Sequence, residues 1–151
     1  PVGATLENVQ ARLRMIILMA YVNQYGGFLL NTSNKTELAL GYSTLYGDMA
    51  GALCPLADLT KPQVYELARL VGQGIIPAYI FERPPSAELR PAQVDPFDYE
   101  RISPEMEAIV QADSSHRALT HSEHKRWQFG IILKVSERAF GSGRLLPVTK
   151  A

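Results

Sequence analysis

The stretch best suited to chemistry runs from Asn31 to Asp48, N-T-S-N-K-T-E-L-A-L-G-Y-S-T-L-Y-G-D. Hydroxyls, amides and a lysine follow directly on the short apolar run Phe28-Leu29-Leu30, and a helix start follows them. In open α/β sheets, ligands collect at the carboxyl ends of strands, where the amino ends of helices favour anions. Thr32 and Lys35 therefore suit phosphate oxygens, and Glu37 suits a hard divalent cation bridging those phosphates. Asp48 offers a second acid on the facing loop. The same residues also read as a polar turn in which Asn34 or Thr36 only caps a helix. The chain has no Walker-type glycine-lysine phosphate loop.

Other clusters add donors. Asn8 and Arg12 are four residues apart and share one helical face, with Arg14 close by. A guanidinium presents a planar fork to phosphate or carboxylate, although Arg12 could equally pair with Glu7. Lys61 opens a helix, where the macrodipole disfavours a cation and a bound anion would offset the penalty. Arg83-Pro84-Pro85-Ser86-Ala87-Glu88-Leu89-Arg90 is a rigid, hydroxyl-bearing turn of the kind that closes over substrates, or a solvated linker. His121, His124, Lys125 and Arg126 gather beside Trp127, and Lys125 could approach an anion. Zinc would need further His or Cys ligands at suitable spacing, and Cys54 and His116 lie far away in sequence. No Ser-His-Asp arrangement supports nucleophilic catalysis, and Cys54 lacks a basic neighbour.

The elements that must position these groups follow from periodicity. A long helix is expected from about Thr5 to Tyr25, with Leu6, Val9, Leu13, Ile16 and Ile17 at helical spacing and Gly26-Gly27 as the stop. Residues 28–30 read as a buried strand of a parallel sheet, 36–40 as a helix and 52–56 as a second strand. Thr60-Lys61-Pro62-Gln63 is a capping-box pattern that opens a helix through Leu70. Prolines 77, 84, 85, 91, 96 and 104 make residues 75–102 read as a long loop, with 83–101 expected to be mobile without nucleotide. A helix is expected from Ser103-Pro104-Glu105, and another capped by Thr120 and Glu123; the tail from Lys134 reads as extended and basic, with Arg138, Arg144 and Lys150. Alternating helix and strand place the chain in the α/β class as a single partial domain over 1–151.

Bulk composition narrows the partners. The 151 residues are 46% hydrophobic and 20% charged, with fifteen basic and fifteen acidic side chains. That balance gives no reason to expect nucleic acid or an anionic membrane surface. No apolar run approaches the roughly 18 residues that span a bilayer. One cysteine excludes an internal disulfide and favours a reducing cytoplasm. The start at Pro1, without an initiator methionine, suggests a piece of something longer.

Taken together, the motifs resemble one family. N-V-Q-A-R-L-R-M at Asn8 to Met15 resembles the N-x-x-A-R-x-R-M helix of NAD synthetases, and T-S-N-K-T-E with G-Y-S-T-L-Y-G-D is similar to that family's T-G-N-K-S-E and G-Y-x-T-x-Y-G-D. P-L-A-D-L-T-K, R-P-P-S-A-E-L-R-P and E-H-K-R-W-Q follow in the family's order. The resemblance implies an adenine-nucleotide α-hydrolase-like parallel sheet, lacking its first strands, and an ATP pyrophosphatase. In such an enzyme the carboxylate of nicotinic acid adenine dinucleotide attacks the α-phosphate of ATP, and ammonia then displaces AMP to leave the amide of NAD. It further implies that Thr32 contacts ATP, Glu37 binds Mg2+, and Lys61 and Ser86 hold ATP phosphates. Asp48 would face the dinucleotide, Lys125 would approach the reacting centre, and Arg12, with Asn8 on the same face, would lie along the nucleotide site. The tail R-A-F-G-S-G-R-L-L-P-V-T-K resembles the glutamine-dependent branch, in which a separate nitrilase-like glutaminase domain supplies ammonia. Homodimers or higher homo-oligomers are implied as well.

Two departures stand out. The family's S-G-G-x-D-S pyrophosphate loop precedes the first helix and is not in this sequence, so the segment alone is expected to be inactive. Ser33 replaces the usual glycine, which alters how closely the backbone approaches phosphate. Competing readings are another amidating ATP pyrophosphatase, resembling GMP or asparagine synthetases, and a non-catalytic module whose apolar first helix builds subunit contacts.

Overall fold

A computed structural model gives the fold for residues 2–112 and 117–140. The first helix, α1 (Val2–Tyr25), ends at the expected glycine pair. Its apolar residues do not build the core. Leu6, Leu13, Ile16 and Ile17 are each more than half exposed, and the face turned inward is Asn8, Ala11, Arg12 and Met15. That inward set recurs at i, i+3, i+4 and i+7, the period of one helical stripe. No helix among the described residues is long and apolar enough to cross a membrane.

The sheet is short and parallel. Leu30 bridges Leu53, and β1 (Leu53–Cys54) pairs with β2 (Ile131–Ile132), Leu53 opposite Ile131 and Cys54 opposite Ile132. β1 is therefore central. The strands expected at 28–30 and 52–56 have the predicted direction but contract to one bridging residue and two paired residues. β2 has no counterpart in the sequence reading, because two isoleucines are too short a run to show periodicity. Gly130 permits this pairing: a Cβ there would lie 2.2 Å from the Ala52 carbonyl oxygen.

The core surrounds α2 (Lys35–Leu40), a helix of six residues. So short a helix is marginal by itself and depends on caps and tertiary contacts. Asn34 caps it by accepting the Glu37 N–H at 3.0 Å, while Glu37 Oε2 accepts the Asn34 N–H at 3.3 Å. Gly41 ends it in the left-handed region at φ 68°, and a side chain there would strike Ser122. Leu38 and Ala39 face a cluster with Met49, Cys54, Met106, Val110, Leu119 and Ile132. Truncating a residue as buried as Leu38 to alanine costs about 2–5 kcal/mol.

Helix α3 (Lys61–Val71) begins at the expected box, with Gln63 Oε1 accepting the Thr60 N–H at 2.8 Å. The proline-rich stretch departs from its reading as one loop over 75–102. It contains α4 (Ala78–Glu82), launched from Pro77, and the start of α5 (Tyr99–Ala112). Within it, residues 75–77 and 83–98 lack helix or strand. Helix α5 starts four residues before the expected Ser103 because Asp98 caps it, accepting the Arg101 N–H at its side chain and the Ile102 N–H at its carbonyl. Pro104 lies inside α5, where it removes a backbone donor and crowds the carbonyl of Glu100. Helix α6 (Arg117–Arg126) encloses Thr120 in its interior, so Thr120 is not the cap that its spacing from Glu123 suggested. His116, Arg144, Lys150 and the tail 141–151 lie outside the described residues.

Candidate functional site

Loop 31–34 leaves Leu30 at the carboxyl end of its bridge and enters α2, as the strand–loop–helix logic requires. The Asn31 amide shapes it, accepting the Ser33 N–H at 2.8 Å and donating to the Asp48 carbonyl at 3.1 Å. The backbone donor at Ser33 is thus used internally. Beside this loop is a cleft of about 340 Å³ whose walls include Thr32, Glu37, Asp48, Lys61 and Ser86. These five, all expected from sequence, share this one space.

Lys61 Nζ and Glu37 Oε1 meet at 2.8 Å, each with about a fifth of its side chain exposed. Lys61 also lies over the Tyr99 ring, 5.3 Å from its centroid. The pairing offsets the penalty of a cation at the amino end of α3. Asp48 Oδ1 accepts the Thr44 N–H at 2.6 Å. Burial pushes the Asp48 carboxyl above its ordinary range; the Thr44 bond and the Lys125 ammonium oppose that shift, while Glu37 adds to it.

Lys125 reaches loop 41–48 from α6, donating to the Gly41 and Ser43 carbonyls at 2.7 Å each. Burial lowers its pKa, and the Asp48 charge partly restores it. Asn8 Oδ1 accepts the Thr44 hydroxyl at 2.8 Å, and Arg12 Nε donates to the Leu45 carbonyl at 3.0 Å. Asn8 and Arg12 do share a face, and they fasten α1 to this loop. None of Asn8, Arg12 and Lys125 lines the cleft.

Lys35 requires a correction. It is fully buried, with Nζ 2.8 Å from Asp58 Oδ1 and 2.8 Å from Glu107 Oε2, so it is not a phosphate ligand. Asp58 also accepts the Val135 and Ser136 N–H groups at 2.6 Å and the Ser136 hydroxyl at 2.7 Å. Burial works to raise the Asp58 carboxyl, but Lys35 and the donors at 135 and 136 together hold it below its ordinary value. The spacing N-K-T-E cannot reveal this, because both acids that claim Lys35 are distant in sequence.

Arg14, expected only as a neighbour of Arg12, also lines the cleft with Tyr42 and Asp95, and sequence reasoning missed the last two as site residues. Asp95 fastens the proline-rich loop. Its carboxylate accepts the Ala87 N–H and the Tyr42 hydroxyl at 3.1 Å and the Tyr99 hydroxyl at 2.9 Å. Burial and then the Asp95 charge push Tyr42 up to about 12; burial, Glu37 and Asp95 raise Tyr99 as well. Arg14 donates to the Glu88 carbonyl at 2.8 Å, closing the loop over α1. The side of the loop carrying Ser86 is thus held against the cleft from two directions.

Among the described residues no three His, Cys, Asp or Glu side chains gather as a metal cage. The cleft nonetheless suits Mg2+, which characteristically takes one or two carboxylates and completes its octahedron with water and phosphate oxygens. Of the carboxylates in its walls, Glu37 is the one expected from sequence to take that part.

The family model for NAD synthase matches residues 3–138. The glutamine-dependent NAD(+) synthetase of Synechocystis sp. is 41% identical over 173 residues, covering 100% of this chain and 31% of that protein. Its Thermotoga maritima counterpart is 40% identical over 169 residues, covering 96% and 29%. Among solved structures, the NMN synthetase from Francisella tularensis superposes with a TM-score of 0.63 at 29% identity, over 86% of this chain and 56% of that one. The Acinetobacter baumannii glutamine-dependent NAD+ synthetase, solved with ADP, gives 0.54 at 32% identity, over 98% and 30%. The chain spans about a third of the length of the curated relatives it matches.

Proposed function

Since the chain belongs to the NAD synthase family, we propose that it forms part of an enzyme that amidates nicotinic acid adenine dinucleotide to NAD at the expense of ATP. The observation that carries the proposal is the cleft itself, where Thr32, Glu37, Asp48, Lys61 and Ser86 converge from four separate segments. In the first step a substrate carboxylate oxygen bonds to the α-phosphorus of ATP, and the bond to pyrophosphate breaks. In the second, ammonia bonds to the acyl carbon, AMP leaves with the electron pair, and a proton is lost from nitrogen.

Thr32 and Ser86 would donate to phosphate oxygens, and Lys61 would exchange part of its contact with Glu37 for the anion. Glu37 would hold Mg2+, which supplies positive charge to the phosphates when bound. Asp48, in the cleft wall, and Lys125, bonded to the Gly41 and Ser43 carbonyls of the same loop, would serve the acyl end of the dinucleotide, with Arg12 and Asn8 along that loop. Positioning and electrostatic stabilisation supply the rate, and no covalent enzyme intermediate is required. The relatives' names favour glutamine, hydrolysed on a separate domain, as the ammonia source. A cytoplasmic homo-oligomer is part of the same proposal, and the exposed apolar face of α1 supports a subunit contact. The segment alone is inactive in this reading.

The structural likeness to an NMN synthetase favours one second reading, amidation of the mononucleotide. The test is an assay of the full-length protein carrying this segment, with ATP, Mg2+, ammonia or glutamine, and either the dinucleotide or nicotinic acid mononucleotide. NAD formation that is lost in Glu37→Ala is the expected result. Amidation of the mononucleotide alone would transfer the proposal to the second reading, and no amide from either substrate would overturn both.

A further inference from the structure

Thr36 is completely buried and takes no part in the chemistry above. Its hydroxyl nevertheless occupies a junction of three helices. Oγ1 accepts the Lys61 N–H at 3.2 Å and shares a 2.9 Å hydrogen bond with Ser103 Oγ of α5, which is as deeply buried. Glu37, the next residue along α2, is fixed by its own helix, since Oε2 is committed to the Asn34 N–H and only Oε1 turns to Lys61. The position of Lys61 relative to Glu37 therefore depends on how the start of α3 is docked on the start of α2.

Two bonds set that docking: the Lys35 N–H to the Leu59 carbonyl at 2.7 Å, and the Lys61 N–H to Thr36. The second acts on the very residue whose ammonium enters the cleft. We propose that the Thr36 hydroxyl is a positioning group for MgATP, holding the Lys61 backbone so that its ammonium meets Glu37 in the cleft wall; the ligand's identity rests on the amidating reading above. A purely structural hydroxyl would matter for stability alone. Ser103 separates the two cases, because removing it takes away a buried partner but leaves the link from Thr36 to Lys61.

The experiment uses the full-length protein and measures MgATP binding by calorimetry, KM for ATP and for the dinucleotide, and thermal stability. A lost neutral hydrogen bond corresponds to a few-fold up to about tenfold in affinity. Thr36→Val and Thr36→Ala are therefore expected to weaken MgATP binding and raise KM for ATP by about that factor, with KM for the dinucleotide unmoved. By the same reasoning Thr36→Ser and Ser103→Ala should stay within about twofold of wild type in MgATP binding, even where Ser103→Ala melts as early as Thr36→Val. Unchanged MgATP binding in Thr36→Val, or an equal loss in Ser103→Ala, would overturn the proposal. Should neither Thr36→Val nor Thr36→Ala fold, amide exchange of wild-type Lys61 decides: protection is expected, and exchange at the free-peptide rate would refute the link. If MgATP binding responds as described but no amide forms, the positioning role stands and the assigned reaction falls.

Discussion

Replacing Asp58 by asparagine keeps the shape of the side chain and removes the charge at the centre of the buried network. Four donors converge on this carboxylate: the Lys35 ammonium, the Val135 and Ser136 amides and the Ser136 hydroxyl. Removing one partner of a buried ion pair costs about 3–5 kcal/mol. Glu107 remains beside Lys35 at 2.8 Å, with about a quarter of its side chain in solvent, so the ammonium is not orphaned. The low end, about 3 kcal/mol, is therefore the expected cost. The readout is amide hydrogen exchange at Val135 and Ser136, which should accelerate about 150-fold, since each 1.36 kcal/mol is a factor of ten. The double change Lys35→Met with Asp58→Leu removes both charges and should recover most of the loss. Acid adds a second signature. The folded carboxyl lies below its ordinary value, so its contribution is complete at neutral pH and is lost as the pH falls from about 4 through the lower folded value. Asp58→Asn should flatten that acid limb. Exchange at 135 and 136 changed by less than about threefold, or a double variant as damaged as the single one, would refute the reasoning.

The other expectations concern the cleft and the sheet. Asp48 is held above its ordinary pKa, so its ionisation opposes folding as the pH rises from about 4 towards neutrality; Asp48→Asn should melt later at pH 7, and that gain should vanish in acid while amidation is lost. A melting point at pH 7 no higher than wild type would contradict it. Asp95→Asn leaves one acceptor oxygen for three donors and should cost about 1.5–3 kcal/mol of loop stability, seen as faster protease cleavage between 86 and 94. Cleavage at the wild-type rate would show that other contacts hold the loop. Gly130→Ala puts a Cβ 2.2 Å from the Ala52 carbonyl and should destabilise by about 3 kcal/mol or more, measured by urea titration; a midpoint matching wild type would mean the sheet adjusts freely.

How much of this was readable in the sequence depended on the range of each interaction. The helices α1, α2 and α3 follow from local signals: apolar spacing, Asn34 and Glu37, Thr60 and Gln63. Thr32, Glu37 and Asp48, singled out by the polar loop after a short apolar run, line one cleft. Lys35 was misjudged because its partners, Asp58 and Glu107, are 23 and 72 positions away and leave no local trace. The start of α5 was missed because proline at 104 outweighs a cap at Asp98 in any local reading. Asp95 escaped notice for a similar reason, since proline density made residues 83–98 read only as loop. Its value arises from Tyr42, which is 53 positions away.

The enclosure of α2 has a consequence for the order in which the chain can acquire structure. Lys35 bonds to Ser136, 101 positions later, and Leu38 receives Arg126, 88 positions later. During synthesis the helix that organises the core emerges early and waits for the segments that enclose it. At about 5–20 residues per second, that interval is roughly 5–20 s. Throughout it Leu38 and Ala39 lack their shelter, and the nascent segment is a natural client for chaperones that hold apolar stretches. The speed of translation after residue 40 sets how long those apolar residues stay uncovered.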